Sequence, residues 1–146
     1  MVVTLAGHSF RADLLRECPV VVDLGCCRGE FMSQFIQMFP TYERFVAVEA
    51  NPYLTAQLNT TFSDPRVGII QSVVRQTVEP NCAFYFDLEN EFNSSCVFRN
   101  YNGKPGESTK VTCISVQQVV ESFDTVDLVE MDIEGSEWEI LPKFSV

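Results

Sequence analysis

Four polar residues fall at or near the ends of short apolar runs. Asp23 follows "VVV" in "PVVVDLG", Glu49 closes "RFVAVE", Ser72 sits in "VGIIQSVV", and Asp132 follows "VDLVEM". Gly25 and Gly29 stand just past Asp23 as G-x-x-x-G, and Glu49 lies 20 residues beyond Gly29. A carboxylate offers two acceptor oxygens, so Asp23 can accept from an ammonium and Glu49 from two vicinal hydroxyls. Glycine permits a positive φ and lets a ligand approach the backbone, and a helix starting after Gly29 would present free N–H groups. A dinucleotide loop reads G-x-G-x-x-G, which this stretch does not match. The set suits an aminoacyl nucleoside better than a pyrophosphate.

These residues need a scaffold that gathers strand ends on one edge. "VVVDLG", "RFVAVEANP" and "VGIIQSVV" are continuous, β-branched runs of the kind buried on both faces of a parallel sheet. Between them, Glu30 to Phe39 carries Phe31, Phe35, Ile36 and Phe39 at helical steps. Tyr53 to Phe62 reads as a second helix, with Pro52 suited to its start. The order β-α-β-α-β predicts a doubly wound, Rossmann-like sheet. "CAFYFDL", "CVFRNY" and "KVTCISV", punctuated by Asn102-Gly103 and Pro105-Gly106, predict an antiparallel insertion. "SVQQVVESF" then returns to helical spacing, "VDLVEMDIEG" is a fourth core strand, and "SEWEIL" opens a helix. The expected core order is 3-2-1-4 in one domain over residues 1–146, lacking the last strands of a full sheet. Residues 11 to 17 read as a short helix after an irregular N-terminus. In a parallel α/β sheet, ligands bind beyond the carboxyl ends of the strands, where Asp23, Glu49, Ser72 and Asp132 would meet.

Composition narrows the partners. The chain has 146 residues and a formal net charge of −10, with eight of its 20 acids between residues 121 and 146. Phosphate backbones call for a basic footprint, so no nucleic-acid partner is expected. No apolar run approaches the length of a membrane span, and the N-terminus lacks the pattern of a signal peptide. A cytoplasmic location is the expectation. Cys18, Cys26, Cys27, Cys82, Cys96 and Cys113 form no CxxC pair and no zinc spacing, which reads as reduced thiols. No metal site is expected, although Glu130, Asp132 and Glu134 would line one face of a strand.

Taken together, "VVDLGCCRGEF", "FVAVEANP", "FNSSCVF" and "VDLVEMDIEGSEWEIL" resemble the FkbM family of S-adenosylmethionine-dependent methyltransferases. That family shows a D-x-G-A-N-x-G loop, an E-P-N-P segment and K-x-D-x-E-G-x-E. The resemblance runs from about residue 20 to residue 141. It implies that Asp23, Gly25 and Cys26, with Gly29 closing the loop, line the methionine part of S-adenosylmethionine. It further implies that Glu49 holds the ribose with Asn51 nearby, and that Ser72 and Val73 sit by the adenine. Asp132 and Glu134 would border the methyl-donor end and a small hydroxylated acceptor, with catalytic roles in O-methylation of a sugar or similar molecule. Three departures stand out: Cys26-Cys27 for Ala-Asn, Ala50 for Pro, and Glu130 for Lys. The alternatives are a non-catalytic S-adenosylmethionine-binding module, favoured by Glu130, or a fragment completed by a partner chain. An open sheet edge after the fourth strand would allow self-association. His8 reads as a surface histidine, and Trp138 as packing with Ile140 or Leu141.

Overall fold

A computed structural model describes residues 1–78, 80–86, 94–95, 100–101, 104–105, 107–133 and 136–143. The irregular N-terminus expected from the sequence is instead a hairpin, β1 (Val2–Leu5) with β2 (His8–Arg11), in the register Val2↔Arg11 to Leu5↔His8. Its two-residue turn places Ala6 at φ 47° and Gly7 at φ 91°, the double positive φ whose twist matches flanking strands. Val3 and Leu5 point into the core, and Phe10 packs among Phe31, Phe35 and Phe39. The helix expected over residues 11–17 is only a three-residue 3-10 turn, Ala12–Leu14, with no buried residue. Arg11 and the Met1 amino group both engage Asp13. Leu14 faces solvent, so no apolar stripe exists to hold a longer helix.

The sheet follows the apolar runs. After β3 (Val20–Leu24) come α1 (Glu30–Met38), β4 (Arg44–Glu49), α2 (Pro52–Thr61) and β5 (Val67–Gln71). The short β6 (Val73–Val74), β7 (Cys82–Phe86), β8 (Glu107–Val111) and β9 (Cys113–Ile114) lead to α3 (Val116–Val120), β10 (Leu128–Met131) and α4 (Glu137–Ile140). A four-stranded parallel sheet runs in the order β10-β3-β4-β5. β3 is buried at all five positions, as a central strand covered on both faces must be.

The two faces bury different helices. Val21, Phe45 and Ala47 pack with α1, α2 and the hairpin, while Val22, Val46 and Val48 pack with α3 and Ile140 of α4. β7 and β8 pair antiparallel, and β6 and β9 pair parallel. Cys82, Phe84, Phe86, Val111 and Cys113 form a third core there. The "CVFRNY" segment lies largely outside the described residues. Asp127 fixes the start of β10 against β3, accepting from the Val20 N–H at 2.8 Å and from Arg16 Nη2 at 2.8 Å. No helix among the described residues is long and apolar enough to cross a membrane.

Two helix starts show how local chemistry sets the elements. Asn51 caps α2 by accepting the Tyr53 N–H at 3.0 Å, with Pro52 in the first turn. Ser115 and Gln118 form a reciprocal capping box at α3. Trp138 does not pack as expected: it is 82% exposed, because only Ile140 of the four-residue α4 turns inward.

Candidate functional site

The strand-end loop after β3 is tied to β4. Gly25 and Cys26 both donate to the Val48 carbonyl, at 2.8 and 3.2 Å, and the Gly29 N–H closes a turn on the Cys26 carbonyl at 2.7 Å. Gly25 has φ +91°, and a Cβ there would lie 2.0 Å from the Asp132 carbonyl oxygen. The glycine therefore lets the loop after β3 touch the loop after β10. Gly29 serves packing: at φ +76° its missing Cβ makes room for Leu58 and Phe62 of the α2 region. Between them Cys27 adopts φ 48°, a left-handed conformation that costs an ordinary side chain energy.

Glu49 is 6% exposed, and both its oxygens are already engaged. Oε2 accepts from the Cys27 N–H at 2.9 Å and Oε1 from the Asn51 N–H at 2.7 Å. Burial raises its pKa, and these backbone donors work against the rise. Each oxygen keeps a further lone pair, so the carboxylate is oriented by the loop and can still accept.

Asp23 and Glu130 are the less expected pair. The parallel register puts Glu130 opposite Asp23, and both are buried. Neither Asp23 oxygen receives an N–H or hydroxyl donor, nor does Glu130 Oε1, so the two carboxyls have each other and a shared proton. His8 Nδ1 approaches Glu130 Oε1 to 3.0 Å as an ion-pair contact without hydrogen-bond alignment. Burial raises the Asp23 carboxyl well above its ordinary value, and the neighbouring carboxylates add to the rise. Burial raises Glu130 as well, opposed by Asp23 and His8. Two adjacent carboxyls cannot both ionise cheaply, so the pair holds a proton, and Asp23 is the deeper and more favoured holder. Cys26 beside them is pushed well up by burial, which keeps it a thiol and a poor nucleophile. Cys18, Cys26 and Cys113 are free thiols.

These groups line a cavity of about 230 Å³ that joins Asp23, Gly25, Cys26, Glu130 and Asp132, with His8 and Phe31 among its other walls. His8 is thus a cavity wall, not the plain surface residue the sequence suggests. The readable signal was the alternation Val3, Leu5, His8, Phe10 about Ala-Gly. Glu49, Asn51, Ser72 and Val73 lie outside this cavity. Ser72 donates to the Thr112 carbonyl at 2.8 Å, and Val73 pairs with Cys113 in the third core. Gly29 also lies outside it, Asp132 is an exposed wall residue, and Glu134 falls outside the described residues.

Acid-tipped parallel strands, a glycine turn and a cavity at their ends define an α/β protein whose candidate site lies at the carboxyl edge of the sheet, where such folds place their ligands. A family model described as the methyltransferase FkbM domain matches residues 23–145. The chain belongs to the FkbM methyltransferase family. Among solved structures it is similar to methyltransferase FkbM from Methylobacillus flagellatus KT, at 19% identity and a TM-score of 0.60. That likeness is one of fold; it covers 90% of this chain but only 31% of the other, so the chain spans under a third of that relative. No curated protein matches the chain.

Proposed function

We propose that this chain binds S-adenosylmethionine at the β3–β4 edge and transfers its methyl group to an oxygen of a small hydroxylated acceptor. One observation carries the reading: the loop after β3 and the buried Glu49 are locked together by the Cys27 and Asn51 N–H groups. This presents an oriented carboxylate beside a glycine turn, the arrangement a ribose diol and an aminoacyl arm need. The residues fit the group, since Glu49 retains acceptor capacity and Asp23 offers two unpartnered oxygens to an ammonium. Asp23, Gly25 and Cys26 would face the methionine arm, Glu49 and Asn51 the ribose, and the Ser72–Val73 segment the adenine.

When bound, S-adenosylmethionine supplies a methyl group activated on a sulfonium. The chain's own task is to align an acceptor hydroxyl, exclude water and take its proton. Asp132, which lines the cavity, is the residue to receive that proton, with Glu134 as the second candidate from the family motif. The test is calorimetric titration with S-adenosylmethionine, followed by turnover with a panel of hydroxylated acceptors. Glu49→Ala should weaken cofactor binding about tenfold or more; unchanged affinity would remove Glu49 from the ribose site.

A second reading is a cofactor-binding module without catalysis. The Asp23–Glu130 carboxyl pair favours it, because a buried negative pair beside the cavity discourages an ionising acceptor. Saturable binding with no turnover across the panel would select this reading.

A further inference from the structure

We infer that Asp23 and Glu130 together form a receptor for a primary ammonium group, a role this chain assigns to Glu130. The inference rests in part on the strand-end reading above, but its evidence is separate. Asp23 Oδ1 and Oδ2 are fully buried, line the cavity and accept no N–H donor. The two carboxyls share one proton, and Glu130 Oε1 has beside it the poorly aligned His8 Nδ1 at 3.0 Å. A primary ammonium carries three N–H donors and one positive charge, enough to replace that proton and to reach the acceptor positions left over on two adjacent strands. Burying two carboxyls with one proton between them is costly, so the arrangement favours a cationic occupant.

The surroundings select the cation. Phe31 lines the wall, an apolar face that suits an alkyl stem and a cation. A hard metal ion takes six or more oxygens, and among the described residues no three His, Cys, Asp or Glu converge to hold one. The cavity, about 230 Å³, is smaller than the roughly 300–1,000 Å³ of a whole-ligand pocket, so it fits an amine-bearing arm. The charged groups around Asp23 are Glu130 on β10, Glu49 on β4 and Asp132 after β10, which act on it directly, and His8 on β2, Arg28 before α1 and Glu30 at its start, which share the cavity wall. Arrival of an ammonium lets both carboxyls ionise, so the bound proton leaves as the cation enters. The ammonium has two possible sources, the α-amino group of the cofactor or an amine on the acceptor.

Titration calorimetry of the full chain at about pH 7.5, in two buffers of different ionisation enthalpy, tests this. The probes are S-adenosylmethionine, 5′-methylthioadenosine (a nucleoside without the ammonium) and n-butylammonium chloride. At least one ammonium-bearing probe should bind with proton release, and Glu130→Gln should weaken it about tenfold or more. Methylthioadenosine should be indifferent to that substitution. If S-adenosylmethionine shows the effect, the cofactor supplies the ammonium. If only butylammonium shows it, the acceptor does. Ammonium-probe affinities within about twofold of wild type in a folded Glu130→Gln protein, or binding without proton release, overturn the inference. Failure of both nucleosides to bind would sink the cofactor reading while the butylammonium arm still decides this one.

Discussion

Replacing Glu130 with Gln should make the protein more stable. In the wild type, Glu130 lies opposite Asp23 in a parallel ladder, and three of their oxygens lack donors. Gln keeps the shape, removes one ionisable group and offers N–H donors to Asp23. A hydrogen bond to a charged group contributes about 1.5–3 kcal/mol. Against it stands the lost attraction to His8, which is 40% exposed, so that contact contributes at most about 1 kcal/mol. The balance is a gain of about 1–2 kcal/mol, or roughly 3–8 °C in Tm for a chain of this size.

The pH dependence supplies a second handle on the same substitution. Asp23 and Glu130 have ordinary values of 3.8 and 4.5, and both are raised in the fold. Between the unfolded and folded values the native state binds more protons. Stability from this pair is therefore full below about pH 4 and is lost as pH rises through the folded values. The Gln variant lacks much of that loss, so its advantage should be larger at about pH 7.5 than at about pH 4.5. Calorimetric melts of both proteins at the two pH values measure it. A Tm at neutral pH equal to or below wild type, or an increment that does not shrink in acid, would refute the account of the buried pair.

Other outcomes follow from the same geometry. Gly25→Ala should abolish folding or cost more than about 3 kcal/mol, because its Cβ meets the Asp132 carbonyl at 2.0 Å under a positive φ; soluble expression with an unchanged melt would contradict this. Cys27→Asn should stabilise by about 0.5–1 kcal/mol, since Asn tolerates the left-handed conformation at φ 48°; urea unfolding measures it, and a loss of stability counts against the strain argument. Trp138, the single tryptophan and 82% exposed, should emit like hydrated indole and be quenched readily by acrylamide. A blue-shifted, protected emission would place its ring elsewhere.

The parallel sheet was legible because its runs are uninterrupted: Val20 to Leu24 can only be a central strand, and Pro40 and Pro52 bracket the second. The strand-end positions of Asp23, Gly25 and Glu49 were legible because continuous apolar runs lead into them, whereas the separation of Glu49 from the cavity that Asp23 and Gly25 line was not. The N-terminal hairpin was hidden because its turn is Ala6-Gly7 where Asn-Gly would be the strong signal, and because His8 and Ser9 dilute an apolar alternation. The closeness of Glu130 to Asp23 was also hidden. It depends on a register between strands more than a hundred residues apart, which no local pattern encodes. Trp138 misled for a related reason: a four-residue helix has too few positions to declare which side faces inward.

One wall of the cavity, Ala6 and His8, belongs to a hairpin whose rungs close within residues 2–11 and whose tip is held to α1 by the Ala6 N–H on Gln34 Oε1, at 2.8 Å. The hairpin shares no rung with the parallel sheet, but Val3, Leu5 and Phe10 anchor it in the core beside α1. Its amides should therefore exchange through an opening that gives up those contacts, while the amides of β3, deep in the same site, should exchange only when the whole sheet comes apart.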